Sequence, residues 1–485
     1  MKQAATYRNI LKAVSLFTGV QGLNILLNLV RGKLAAVLLG PTGIGLNSMY
    51  NEVRELIHET TNIGLDKSGV REVSRAYGER SREGGASQLK SAITLTRSWV
   101  MSLALLGTIV TLAASPALSY IFFDDLDHAQ HFALLSPAIG LSTITCGEMI
   151  ILRGIQKLKT IALVSVLNVA GGIITTIPVY YCYGIQGIVP ALVLMTLFMA
   201  IITTTFSYRI HRPEFCFQPR FLSGGKTMLL IGLSFVISGI IAHASKLYVQ
   251  KYLSNATGYD TVGYYSQILA IMTYGAIILS SVDTDYFPRL SSIFDNLKTR
   301  IETVHRQHEI TLAVTLPVTV TLIFTLPVIV PLLLSNDFAP IITATQIVAV
   351  SLLCRAIYIP TAIIPLAAGD SKIYLLMQSI SYICFIPAII AGYEYYGVTG
   401  IGIGLALSNL FDLICTLICA KYRYQTLPSR YTATSFTHKA LIGILAFILA
   451  IRLEGTPYWL TAIALITMTT GGAIYEIRKM IKTDE

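Results

Sequence analysis

Apolar runs of about 20 residues, the length of a membrane-spanning helix, recur along almost the whole chain. They predict about fourteen helices, near 10–38, 43–64, 93–122, 131–152, 160–180, 187–208, 227–250, 262–287, 309–334, 341–366, 372–393, 399–420, 438–452 and 457–477. The second run breaks the pattern. At about 100° per residue it gathers Asn47, Asn51, Arg54, Glu55, His58, Thr61 and Asn62 on one arc, with Glu52 and Glu59 at its edge. Met49, Val53, Leu56 and Ile57 fall opposite. A charge at the bilayer centre costs about 2.5–3.5 kcal/mol on insertion scales, so the arc is expected to face a polar cavity or partner groups inside a helix bundle.

The runs also repeat. Lys159 and Gly184 pair with Lys372 and Gly397, 213 positions on, and Gly45 and Arg71 pair with Gly263 and Arg289, 218 positions on. This predicts an all-α integral membrane protein of two six-helix lobes, 1–215 and 216–425, followed by two further helices and a tail at 426–485. An even number of spans per lobe gives the lobes one orientation, a parallel repeat that commonly holds a substrate site between its halves. No cleavable signal pattern is expected ahead of the first run.

Composition agrees with that class: of 485 residues 54% are hydrophobic and 13% charged, and the mean hydropathy is +0.65. The net charge of +10 is unevenly placed, with 29 of the 36 Lys and Arg falling in alternate connections. That asymmetry predicts both termini in the cytoplasm and makes the basicity topological, so no nucleic-acid partner is implied. The seven cysteines form no CxxC pair and read as free thiols packed as small hydrophobes, with no metal site or cofactor expected. The absence of GxxxxGK[ST] argues against direct ATP coupling.

Leu39-Gly-Pro-Thr-Gly-Ile-Gly-Leu46, Ser68-Gly-Val-Arg71 and Asp285-Tyr-Phe-Pro-Arg-Leu-Ser291 resemble the helix-end motifs of the polysaccharide-transport branch of the multidrug/oligosaccharidyl-lipid/polysaccharide exporter superfamily. Wzx-type O-antigen and enterobacterial-common-antigen flippases are the nearest in pattern. The resemblance implies a V-shaped, non-enzymatic transporter of the bacterial inner membrane. Its cargo would be an undecaprenyl-pyrophosphate-linked oligosaccharide, moved by alternating access from the cytoplasmic to the periplasmic leaflet. Glycan polymerase and ligase would act next, and H+ or Na+ could drive the cycle. In related peptidoglycan-precursor flippases, arginines of the first two helices engage pyrophosphate, which maps the role onto Arg31 and Arg54. Lys33 departs in detail, and the nearby Glu52, Glu55 and Glu59 make this cavity less uniformly basic.

The residues themselves leave alternatives open. Guanidinium stays charged when desolvated and offers a planar fork to phosphate oxygens, so Arg31, Lys33, Arg54 and the isolated Arg355 are candidates to bind the anion. Asn47, Asn51 and Asn62 would form a polar wall for the glycan. The competing reading pairs Arg31, Lys33 and Arg54 with the neighbouring glutamates to hold two helices together. Glu55, His58 and Glu59 could take up a proton, and Asn409 with Asp412 a cation, or they could serve as interhelical hydrogen bonds. Lys246 and Lys251 read as snorkelling anchors. Asp283 and Asp285 form a DxD that more simply terminates a helix. Prolines within the spans, from Pro317 to Pro387, either bend during transport or kink statically. The alternative activity is drug or cation antiport by a member of the same superfamily; a glycan polymerase or glycosyltransferase is disfavoured by the short outer connections.

Overall fold

The computed structural model describes residues 2–80, 85–218, 226–283 and 286–482, with side chains omitted for 2–18, 67, 226–235, 276–283 and 481–482. Asp285 and the side chain of Asp283 lie outside the described residues. The described elements are all helical. They are α1 (Lys2–Asn62), α2 (Leu65–Gly78), α3 (Gly85–Phe123), α4 (Ala129–Gly154), α5 (Leu158–Tyr183), α6 (Ile188–Ile210), α7 (Lys226–Thr257), α8 (Tyr259–Asp283), α9 (Tyr286–Ser292), α10 (Leu297–Leu333), α11 (Ile341–Ala362), α12 (Ile364–Ala367), α13 (Ser371–Tyr424), α14 (Arg430–Arg452) and α15 (Gly455–Lys482).

Among the described residues, nine helical stretches are long and apolar enough to cross a membrane. Three of them, Gly19–Asn62, Leu158–Ile210 and Ser371–Tyr424, run to 44, 53 and 54 residues, about twice what a bilayer needs. Each turns a corner at a glycine with positive φ: Gly40 (62°), Gly184 (55°) and Gly397 (57°). A residue with a Cβ is disfavoured in that region, so glycine sets where one arm ends and the next begins. The corners follow the sequence repeat. Gly184 (ψ −133°) and Gly397 (ψ −138°), 213 positions apart, share nearly one conformation. Gly40 and Gly258, 218 positions apart, both have positive φ, as do Gln156 and Gly369, 213 apart.

Packing divides the chain into two compact units, Met1–Leu247 and Tyr248–Glu485. In the first, α3 packs on α4, α4 on α6, α5 on α6, and α1 on α5. The short amphipathic α2 buries Val73 and Ala76 against Ile151, Leu152 and Ile155 at the end of α4. In the second, α11 packs on α10 and α13. The last two helices, α14 and α15, lie against α10, and Lys439 ties one to the other through Glu476 at 2.7 Å.

Three of the prolines inside these helices are locally compensated. A proline lacks the N–H that the carbonyl four residues earlier would accept. In α3 and α4 the serine before the proline supplies a substitute: Ser115 Oγ donates to Leu112 O and Ser136 Oγ to Ala133 O, each at 2.8 Å. In α10 the carbonyl freed by Pro327 is that of Ile323, and Gln346 Nε2 reaches it from α11 at 2.8 Å. The adjacent Phe324 O accepts from Tyr458 of α15 at 2.7 Å. The backbone beside Pro327 is thus held by two neighbouring helices. Gln346 is buried, so Gln346→Leu is expected to leave an unsatisfied carbonyl and cost about 1–3 kcal/mol, read as a lower unfolding midpoint of the full chain in detergent.

Candidate functional site

The second arm of α1, residues 41–62, carries the polar arc. Its apolar side is anchored: Met49, Tyr50 and Val53 are fully buried in the first unit. The arc itself divides among several partners. His58 Nδ1 lies 3.2 Å from Thr143 Oγ1 of α4, and Asn62 Nδ2 lies 3.8 Å from Cys146 Sγ on the same helix. Asn51 Nδ2 stays local, donating to Asn47 O at 2.9 Å and Oδ1 at 3.2 Å.

At the edge of the arc, Glu52 meets α7, with His243 Nδ1 at 2.8 Å and Lys246 Nζ at 3.5 Å. Lys246 is therefore an ion-pair partner rather than a snorkelling anchor. Glu59 also approaches α7 where Gly239 leaves room, since a Cβ there would come within 2.6 Å of the Glu59 carboxylate. A larger residue there would push the Glu59 side chain aside.

Arg54 bonds through Nη2 to Glu55, its neighbour in sequence, and its side chain is 13% exposed. Its Nε is buried with no hydrogen-bond partner. Residues at i and i+1 point to different sides of a helix, so this pair ties no two helices together. Arg31 is held elsewhere: Nη2 lies 2.9 Å from Met195 Sδ of α6, Tyr180 of α5 hydrogen-bonds its side chain, and Nη1 rests against Gly172. Lys33 is half-buried two positions on. Two of the groups that Arg31 touches, a thioether and a phenol, are thus uncharged.

In the second unit, Arg355 of α11 has a buried Nε without a partner, and its charge acts on Tyr358 and Asp412. Asp412 hydrogen-bonds Ser381, whereas Asn409 donates to Ser351 Oγ at 2.8 Å. The two expected cation ligands therefore serve different neighbours. A cavity of about 80 Å³ opens beside Asp412, Tyr358, Tyr374, Gln378 and Ser381.

One pair escaped the sequence reading. Arg97 is 2% exposed and forms two 2.9 Å bonds to Glu148, itself 3% exposed. Ser207 donates to the same carboxylate at 2.5 Å, and Arg97 Nη1 reaches Arg212 O at 2.8 Å. Burial, then the charges of Arg97 and Lys157, hold the nearby His211 below the ordinary histidine value. The available signal was Glu148 itself, a lone acid in the apolar run ITCGEMIIL, which must find a cation when buried.

Comparison with known proteins bears on the whole assembly. Residues 36–343, well over half of the chain, match the family described as polysaccharide biosynthesis protein. A Shigella flexneri protein named "Putative O-antigen transporter" is 22% identical over 405 residues, covering 79% of this chain and 92% of its own. Among solved structures, the lipid II flippase MurJ in an inward closed conformation superposes with a TM-score of 0.71 at 17% identity, covering 96% of this chain and 99% of its own. An inward-facing multidrug resistance MATE transporter superposes with a TM-score of 0.69 at 15% identity, covering 86% and 95%. The structural likenesses fix the fold as that of the multidrug/oligosaccharidyl-lipid/polysaccharide exporters, and with the match over residues 36–343 they place the chain as a multi-pass member of the polysaccharide biosynthesis protein family.

Proposed function

We propose that this protein is a flippase for an undecaprenyl-pyrophosphate-linked oligosaccharide, such as an O-antigen, common-antigen or capsule repeat unit. It moves that lipid from the cytoplasmic to the periplasmic leaflet of the bacterial inner membrane by alternating access, with both its termini cytoplasmic. It is a transporter, not an enzyme, and hands its cargo to glycan polymerase and ligase. The observation that carries the reading is Arg54: a nearly buried guanidinium on a polar membrane helix, with a spare donor and no role in joining helices. A pyrophosphate oxygen is the acceptor such a donor suits. Arg31 and Lys33 on the first arm of α1 add positive charge for the same anion, and Arg355 is the candidate anion-binding group within the second unit. Asn47, Asn51 and Asn62 offer amides to sugar hydroxyls. His58, bonded to Thr143 and close to Glu55 and Glu59 in sequence, is the group best suited to a proton-coupled step.

The test is the leaflet of the glycan lipid in cells lacking this protein. The lipid-linked oligosaccharide is expected to accumulate out of reach of an externally added sugar-modifying enzyme and to become accessible on re-expression. Unchanged accessibility, in a strain with no second flippase, overturns the reading. Sensitivity to cationic dyes in that strain then points to the drug-antiporter alternative.

A further inference from the structure

At the corner between α3 and α4, far from Arg97, three donors from two distant stretches of sequence converge. Tyr50 Oη lies 2.6 Å from His128 Nδ1 and 2.9 Å from His131 Nδ1, and the two ring nitrogens are 3.4 Å apart. We propose that Tyr50, His128 and His131 form a binding site for a divalent transition-metal ion of the zinc or copper class.

The two imidazole nitrogens have the separation of a chelating pair, whereas the Tyr50 contacts at 2.6 and 2.9 Å are hydrogen bonds that have to open for the phenol oxygen to join them as a ligand. Two ligands about 2.0–2.1 Å from one ion in tetrahedral geometry sit roughly 3.4 Å apart, the spacing of the two imidazoles here. A point about 2.1 Å from all three donors also exists, just outside their plane. The surroundings hold the rings in place. Phe123 stacks on His128 with centroids 4.1 Å apart, and Phe132 packs edge-on against Tyr50 at 5.6 Å. Behind His128, Asp125 Oδ2 lies 3.9 Å from Nε2, on the ring nitrogen turned away from the cluster. At that distance the carboxylate makes no hydrogen bond to the ring and acts on it only as a nearby negative charge.

No cluster of three His, Cys, Asp or Glu suited to a metal occurs among the described residues. The third donor is a phenol, and the open fourth position would take water. Tyr50 stands one helical turn before Arg54, so an ion held there ties the arm bearing Arg54 to the α3–α4 corner. Imidazole and phenolate together suit Cu2+ as well as Zn2+.

Cu2+ added to the full-length protein in detergent, after treatment with a chelator, supplies the readout. The wild type is expected to take up an ion with two coordinated nitrogens in its electron paramagnetic resonance spectrum and a phenolate-to-copper charge-transfer band in the visible. His131→Gln should lose that equivalent while keeping the other seven histidines as background. Tyr50→Phe should keep the nitrogens and lose the band. Retained unfolding transitions of the metal-free variants show that they fold. If Tyr50→Phe does not fold, the wild-type band and its loss in His131→Gln decide the matter. Equal copper uptake by wild type and His131→Gln, or a wild-type complex with no phenolate band, overturns the site and leaves the cluster a hydrogen-bond relay.

Discussion

Glu148→Ala is expected to destabilise the protein by about 3–5 kcal/mol, the cost of leaving a buried charge without its partner. Arg97 sits among α3, α4 and the end of α6, and its side chain and that of Glu148 are only 2% and 4% exposed. Both of its 2.9 Å carboxylate bonds would go, and the Ser207 hydroxyl would lose its acceptor. What remains for the guanidinium is Arg212 O at 2.8 Å, the Ser207 hydroxyl at 3.3 Å and the Tyr208 ring at 4.8 Å, all uncharged. Replacing both charges behaves differently, because Arg97→Met with Glu148→Leu leaves no orphaned ion and should recover most of the loss. Thermal unfolding of the full chain in detergent checks this. A Glu148→Ala protein within about 1 kcal/mol of wild type would mean that water or an anion reaches the guanidinium.

The pair also shows where sequence reading ends. The corners of the fold were legible because they are local: a glycine that must adopt positive φ, such as Gly184 or Gly397, marks itself by type and by its recurrence 213 positions on. The apolar face of the 41–62 arm was legible for the same reason, since Met49 and Val53 share one side of a helix whatever covers them. Partner choice is not local. Arg97 reads as one more basic residue at a helix end until Glu148, 51 positions away, is set beside it. Lys246 reads as an anchor until Glu52, 194 positions away, meets it. The polar arc likewise looked like one wall, yet His58 and Asn62 turn to α4 and Glu52 to α7, because 100° projections define faces but not their neighbours. His128 and His131 are visibly three apart, but their shared contact, Tyr50, lies 78 positions from the nearer of them.

Arg54→Ala is expected to cut export of the lipid-linked glycan by about 10- to 150-fold per molecule of protein in the membrane, the loss of one or two charge-assisted hydrogen bonds at about 1.5–3 kcal/mol. Arg54→Lys should fall between, since it restores the charge as a point and loses the planar fork. Two roles for Arg54 make opposite predictions at Glu55. If the Arg54–Glu55 bond were what mattered, removing either partner would do equal harm. The pair links adjacent residues of one helix, so its own contribution is expected to be small. If Arg54 instead holds a phosphate, Glu55 competes with the cargo for the guanidinium. Glu55→Gln should then leave export unchanged or raised while Arg54→Ala abolishes most of it. Surface glycan quantified against membrane-inserted protein for the three variants separates the cases, and equal losses from Arg54→Ala and Glu55→Gln would remove Arg54 from the anion site.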